Sequence, residues 1–133
     1  MSIFDVFRRK RKELDEDELR WDKMWELWEN EEAASPYAEI MTYEAEINNG
    51  GHSQYFLNIS NCGNLEKELE ALYSVLPAKL KSNLKKAYEV YLTMTEENED
   101  DVEEILDDCD DVFYDNEEAI EKILKKYAAT LKP

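Results

Sequence analysis

His52 is the only histidine of the chain and directly follows Gly50 and Gly51, two of its three glycines. A glycine pair can turn its backbone N–H groups toward an anion, and an imidazole beside it could serve as acid or base. That chemistry wants company that the stretch "EINNGGHSQYFLN", residues 46–58, does not supply. It holds no Lys or Arg, no carboxylate at the spacing of a known motif and no nucleophile in a known elbow. A backbone reading accounts for more of it. A helix that turns sharply commonly ends in residues at positive φ, which Gly adopts freely and Asn tolerates, and Asn48, Asn49, Gly50 and Gly51 provide both types. Gln54 and Asn58, four apart, would then share one face of a following short helix and bond loop carbonyls and N–H groups. Tyr55, Phe56 and Ile59 would point into the core. On this reading Val at Gly50 or Gly51 damages folding, whereas His52→Ala changes stability modestly.

The second chemically loaded stretch is acidic. Residues 96–118 hold fourteen Asp or Glu and no Lys or Arg. As a helix, that span would be about 35 Å long, or about one charge per 2.5 Å. Duplex DNA carries about one per 1.7 Å. Asp100, Asp101, Glu103, Glu104, Asp107, Asp108, Asp110 and Asp111 are therefore candidate partner-binding residues, their carboxylates standing where phosphates would. A solvated face serving solubility is the plainer reading. Asp15, Glu16, Asp17, Glu18 and Asp22 make a second candidate patch, part of whose density suits a helix N-terminus.

Metal chemistry fits less well. Asp107, Asp111, Asp115 and Glu118 fall at positions 1, 5, 9 and 12 of a calcium loop. Position 3 is Cys109, however, and position 6 is Val112, where the sharp turn needs Gly. One His and two cysteines 47 positions apart are a poor set for zinc. No catalytic residue, metal or cofactor is assigned.

The formal charge is −17 over 133 residues, which would repel nucleic acid and anionic membranes and attract basic surfaces. With 43% hydrophobic residues, among them three Trp and eight Tyr, the chain is too aromatic for a disordered acidic polymer. Its start, "MSIFDVFRRKRKE", has apolar residues ahead of basic ones, unlike a secretory signal. No run approaches the roughly 18 apolar residues of a membrane span. A cytoplasmic, reduced protein is expected.

Helical periodicity must position these groups. Leu14, Glu18, Trp21, Trp25 and Trp28 share a face, which packs on the core or permits a homodimer. Ser35-Pro36 reads as a helix start, with Ser35 as N-cap. Ile40, Tyr43 and Ile47 stripe that helix up to the glycines. Leu65, Leu69, Leu72 and Leu76 form the seam of a helix that follows Asn64 and stops at Pro77. Leu80, Leu84, Ala87, Tyr88 and Tyr91 mark another. Val102, Leu106, Cys109 and Phe113 define an acidic helix, and Ile120, Ile123, Leu124, Tyr127 and Leu131 a last one. The expectation is an all-α protein: a basic flexible N-terminal segment over 1–12, then a single compact domain of six to seven helices over 13–133.

The stretch around the glycines also resembles the signature "E-x-N-N-G-G-x-x-Q-(aromatic)-F-x-N" of a bacterial all-α family named after a DNA-mimic protein. Asn48, Asn49, Gly50, Gly51, Gln54, Phe56 and Asn58 carry that resemblance. "LEALYSVLPAKLKSNLKKAYEVY" is similar to the family's next helix pair. "LDDCDDVFYDNEEAIEKILKKYAA", with Asp108 and Phe113-Tyr114, is similar to its closing segment. The likeness covers about residues 37–130, and His52 sits where the motif admits other residues. It implies an all-helical fold and, by analogy with the named member, binding to a DNA-binding protein through carboxylates.

The function expected is that of a non-enzymatic acidic interaction protein, a DNA mimic occupying the DNA-binding face of a basic protein such as a transcription factor. No direct contact with nucleic acid or membrane is expected. Two alternatives stand beside it: an immunity-type inhibitor of a basic toxin or nuclease, and an enzyme centred on His52.

Overall fold

Leucines, Ala and long polar side chains at helical spacing, with three glycines in the whole chain, leave little but helix for this backbone to form. The computed structural model describes the backbone of residues 3–132 and the side chains of residues 16–132. The side chains of Leu14, Asp15 and the basic run therefore lie outside what is described. Among the described residues five helices follow in order: α1 (Ile3–Glu29), α2 (Tyr37–Cys62), α3 (Leu65–Val75), α4 (Ala78–Leu92) and α5 (Glu99–Ala128). No strand occurs among the described residues. The boundary expected at residue 12 falls inside α1.

The all-α expectation holds, but the count of six to seven helices is corrected to five. Two pairs expected as separate helices are each one element. The acidic helix and the last helix are a single 30-residue α5. Nothing between Asp111 and Ala119 breaks a helix, and Asn116 caps its own preceding turn by donating Nδ2–H to the Val112 carbonyl at 2.7 Å. The helices on either side of the glycines are likewise joined, α2 continuing through a kink at Gly51 (φ 79°, ψ −175°). That conformation is essentially reserved for Gly.

Other boundaries follow local chemistry. Asn64 caps α3, its side chain accepting from the Lys67 N–H at 3.1 Å. Leu76, held extended ahead of Pro77, ends it. Ser35 does not act as N-cap. Pro36 occupies that position, and the Ser35 hydroxyl instead bonds the Glu39 carboxylate.

The apolar seam of α5, Val102, Leu106, Cys109, Phe113, Ile120, Leu124 and Tyr127, is buried along its length. It packs chiefly against α4 and α2, with α1 across its C-terminal half. Fully buried Tyr43, Tyr55, Phe56 and Phe113 fill the centre, with Tyr43 edge-on to both Tyr55 and Phe113. Asn83 pins α4 to α5 by donating to the Cys109 carbonyl at 2.9 Å. Of α1, Met24 is fully buried, while Trp21, Trp25 and Trp28 lie half-buried against the core. The indole N–H of Trp28 donates to Thr42 Oγ1 at 2.9 Å.

Candidate functional site

The acidic helix presents two kinds of carboxylate. Glu103, Asp110 and Glu117 recur every seven residues, so they lie in one row along α5, and that row faces α2. Each meets a donor there. Ser53 donates its hydroxyl to Glu103 Oε1 at 2.8 Å. The His52 backbone N–H donates to Asp110 Oδ1 at 2.8 Å. Asn48 Nδ2–H donates to Glu117 Oε2 at 2.8 Å. All three donors come from the kink region of α2. A kink leaves the backbone groups of the broken turn without helical partners, and α5 supplies them. Tyr114 also donates its hydroxyl to the Ile47 carbonyl, at 2.9 Å.

His52 is 0% exposed at the centre of this arrangement. Its Nδ1 lies 2.5 Å from Asp110 Oδ1 and its Nε2 2.6 Å from the Tyr43 hydroxyl. Burial, with Tyr55 and Asp110 nearby, pushes the Tyr43 phenol well up, so Tyr43 keeps its proton and donates it to Nε2. His52 is then the Nδ1–H tautomer, an assignment that follows from its partners. Tyr, His and Asp in a chain have the connectivity of a proton relay, yet this one is closed over by Phe56 and Phe113. It works as a bolt between α2 and α5.

The position at Gly50-Gly51 that an anion cradle would have used is filled from within. A Cβ on Gly51 would strike the Asp110 carboxylate, which sits at the start of the second half of α2, where helix dipole and free N–H groups favour an anion. Gly50 is not at positive φ as expected. Its lack of a side chain serves close packing, since a Cβ there would collide with the Gln54 side chain. The two amides do share a face, but their partner is not the loop backbone. Gln54 Nε2–H and Asn58 Nδ2–H both donate to Glu46 Oε2, at 3.0 and 2.9 Å. Glu46 was missed as a partner, although it opens the same stretch. Asn49 and Asn48 are exposed, and Phe56 is fully buried.

The second kind of carboxylate faces solvent. Asp100, Asp101, Glu104, Asp107, Asp108, Asp111, Asp115 and Glu118 are all exposed. The ion pairs among the described residues are Arg20–Asp17, Lys23–Glu26 and His52–Asp110, and none takes an outward carboxylate of α5. Of the eight proposed binding residues, Glu103 and Asp110 are thus engaged in holding α2, and six face outward. The stretch that imitated a calcium loop is continuous helix from Asp107 to Glu118.

Residues 30–131 match the family described as DMP19-like protein. The chain belongs to that family. The match spans α2 to α5 and leaves the whole of α1 before it. No curated protein and no solved structure matches the chain. Membership in the DMP19-like family is consistent with a DNA-mimic role. No helix among the described residues is long and apolar enough to cross a membrane.

Proposed function

We propose that the protein is a non-enzymatic DNA mimic whose outward row on α5 occupies the DNA-binding face of a basic protein. The observation that carries this reading is the eight exposed carboxylates from Asp100 to Glu118, none of which forms an ion pair among the described residues. They span about 27 Å of helix, giving about one charge per 3.4 Å, close to the axial spacing of phosphates on one DNA strand. Folding does not ask for them. Glu99, Asp100 and Asp101 lie in the first turn, where the helix dipole welcomes them. Farther along, Glu104–Asp108, Asp107–Asp111 and Asp111–Asp115 are like-charge pairs four apart, each costing the helix about 0.2–0.5 kcal/mol. Family membership supports the same reading. A basic toxin or nuclease would bind the same surface, so an immunity-type inhibitor is distinguished only by its partner. The buried His52 gives an enzyme reading no accessible acid or base.

The immobilised protein should capture a basic DNA-binding protein from lysate at low salt and release it to added duplex DNA. Capture of nothing that DNA displaces would overturn the proposal.

A further inference from the structure

Four consecutive residues of α1, Glu16, Asp17, Glu18 and Leu19, are all exposed. Four positions carry an α-helix once round its axis, so no side of α1 is packed away at that level. Among the described residues, Arg20 makes the first hydrogen bond from α1 to the body, its Nε–H donating to the Leu131 carbonyl at 3.3 Å. Ahead of it the backbone is helical from Ile3, a stretch of about 25 Å. A helix of that length is marginal in water on its own. Its charges form a mirror. Residues 8–12 are Arg or Lys throughout, and residues 15–18 are Asp or Glu throughout. Reflected about a point between Glu13 and Leu14, Lys12 falls on Asp15, Arg11 on Glu16, Lys10 on Asp17 and Arg9 on Glu18. Side chains of one helix meet three or four residues apart, so Lys10–Asp17 and Arg9–Glu18 are pairs that only two helices can make.

We infer that α1 pairs antiparallel with α1 of a second copy, about a two-fold axis between Glu13 and Leu14, making the protein a dimer. Such an interface is isologous, and each opposite-charge pair occurs twice in it. Elsewhere two copies repel, each carrying −17, so the reversal of sign along α1 selects the segment that can associate. The same register carries residues 3–7 of the second copy, apolar at Ile3, Phe4, Val6 and Phe7, to the level of Arg20 to Met24. There a cleft of about 610 Å³ opens between Arg20, Trp21 and Asp22 of α1 and Lys125, Ala128 and Ala129 of α5. The paired charges lie ahead of residues 30–131, outside the family match. They also lie apart from the outward row of α5, so the inference does not rest on the mimic reading.

Sedimentation equilibrium of the full chain at micromolar concentration should give a dimer, and a monomer throughout would overturn the inference. Two charge reversals locate the contact. One variant changes Arg9, Lys10, Arg11 and Lys12 to Glu, and the other changes Asp15, Glu16, Asp17 and Glu18 to Lys. Each alone should weaken self-association on the order of a hundredfold or more, because every pair changes sign. Mixed one to one, the two variants should form a heterodimer. A dimer that survives either reversal, or no recovery on mixing, overturns the pairing. For direction, Leu14→Cys in a Cys62→Ala background should cross-link to itself under mild oxidation. Phe7→Cys should not, since the two copies of that position stand about 20 Å apart in an antiparallel pair. Equal cross-linking of both, or of neither, contradicts the antiparallel register.

Discussion

Asp110 on α5 accepts two hydrogen bonds from one residue of α2: from the backbone N–H of His52 at 2.8 Å and from its Nδ1 at 2.5 Å. A carboxylate from the most acidic helix thereby caps the restart of another helix after its kink. The most acidic stretch of the sequence is thus also a clamp on the face that packs against α2, while its other carboxylates face solvent.

Removing His52 should therefore cost far more than the modest change its sequence context suggests. His52→Ala opens a cavity and strands the Tyr43 hydroxyl and the Asp110 carboxylate, for a loss of about 2–4 kcal/mol. Asp110→Asn keeps the shape and loses the charge-assisted bonds, for about 1–2 kcal/mol. Urea and thermal melts measure both.

The two adjacent glycines should fail differently. Gly51→Ala forces a Cβ into a Gly-only conformation and against Asp110, costing about 1–3 kcal/mol from the backbone alone. Gly50→Ala pushes only on Gln54. The double variant Gly50→Ala with Gln54→Ala should recover part of the loss, and no change at Gln54 should rescue Gly51→Ala. Thermal melts of the four variants decide it.

Glu44 brings a pH dependence. Burial, then Glu117 and Glu121, raise its carboxyl from about 4.5 to about 7. The folded state thus binds the proton more tightly than the unfolded chain. Its contribution favours folding below about pH 4.5, fades as pH rises through 7 and stays unfavourable above. Glu44→Gln should raise the melting temperature at pH 8 and flatten the fall between pH 5 and 7, by a few degrees, since the side chain is partly solvated. Melts from pH 5 to 8 on both proteins test this.

Much of this architecture was legible in spacing. The seam from Val102 to Phe113, the helix start after Asn64 and the stop at Pro77 were each readable because their cause is local. The merging of two helices into α5 was not, because loss of apolar periodicity around Asp115 looks like a break until Asn48 of α2 is seen to engage Glu117. The acidic run read as uniform for a similar reason. Whether Glu103 and Asp110 face solvent depends on where α2 packs, although their seven-residue spacing with Glu117 beside the apolar seam was a visible signal. The glycines marked a break in regular helix, read as the end of one helix and the start of another rather than a kink within α2, and only the structure separates Gly51, needed for its φ, from Gly50, needed for the room it leaves Gln54.

The division of α5 into two faces can be tested in one titration, with the captured basic protein, duplex DNA and several salt concentrations. Neutralising the outward set, Asp100, Asp101, Glu104, Asp107, Asp108 and Asp111, to amides should keep or slightly raise the melting temperature. It should also weaken competition with DNA steeply and flatten its salt dependence, because unscreened carboxylates act together within about 8 Å at physiological ionic strength. Neutralising Glu103 and Asp110 should do the opposite, lowering the melting temperature and sparing competition wherever the fold survives. If the outward variant competes with DNA as well as the unaltered protein does, the outward row is a solvated face and the protein is not acting as a DNA mimic.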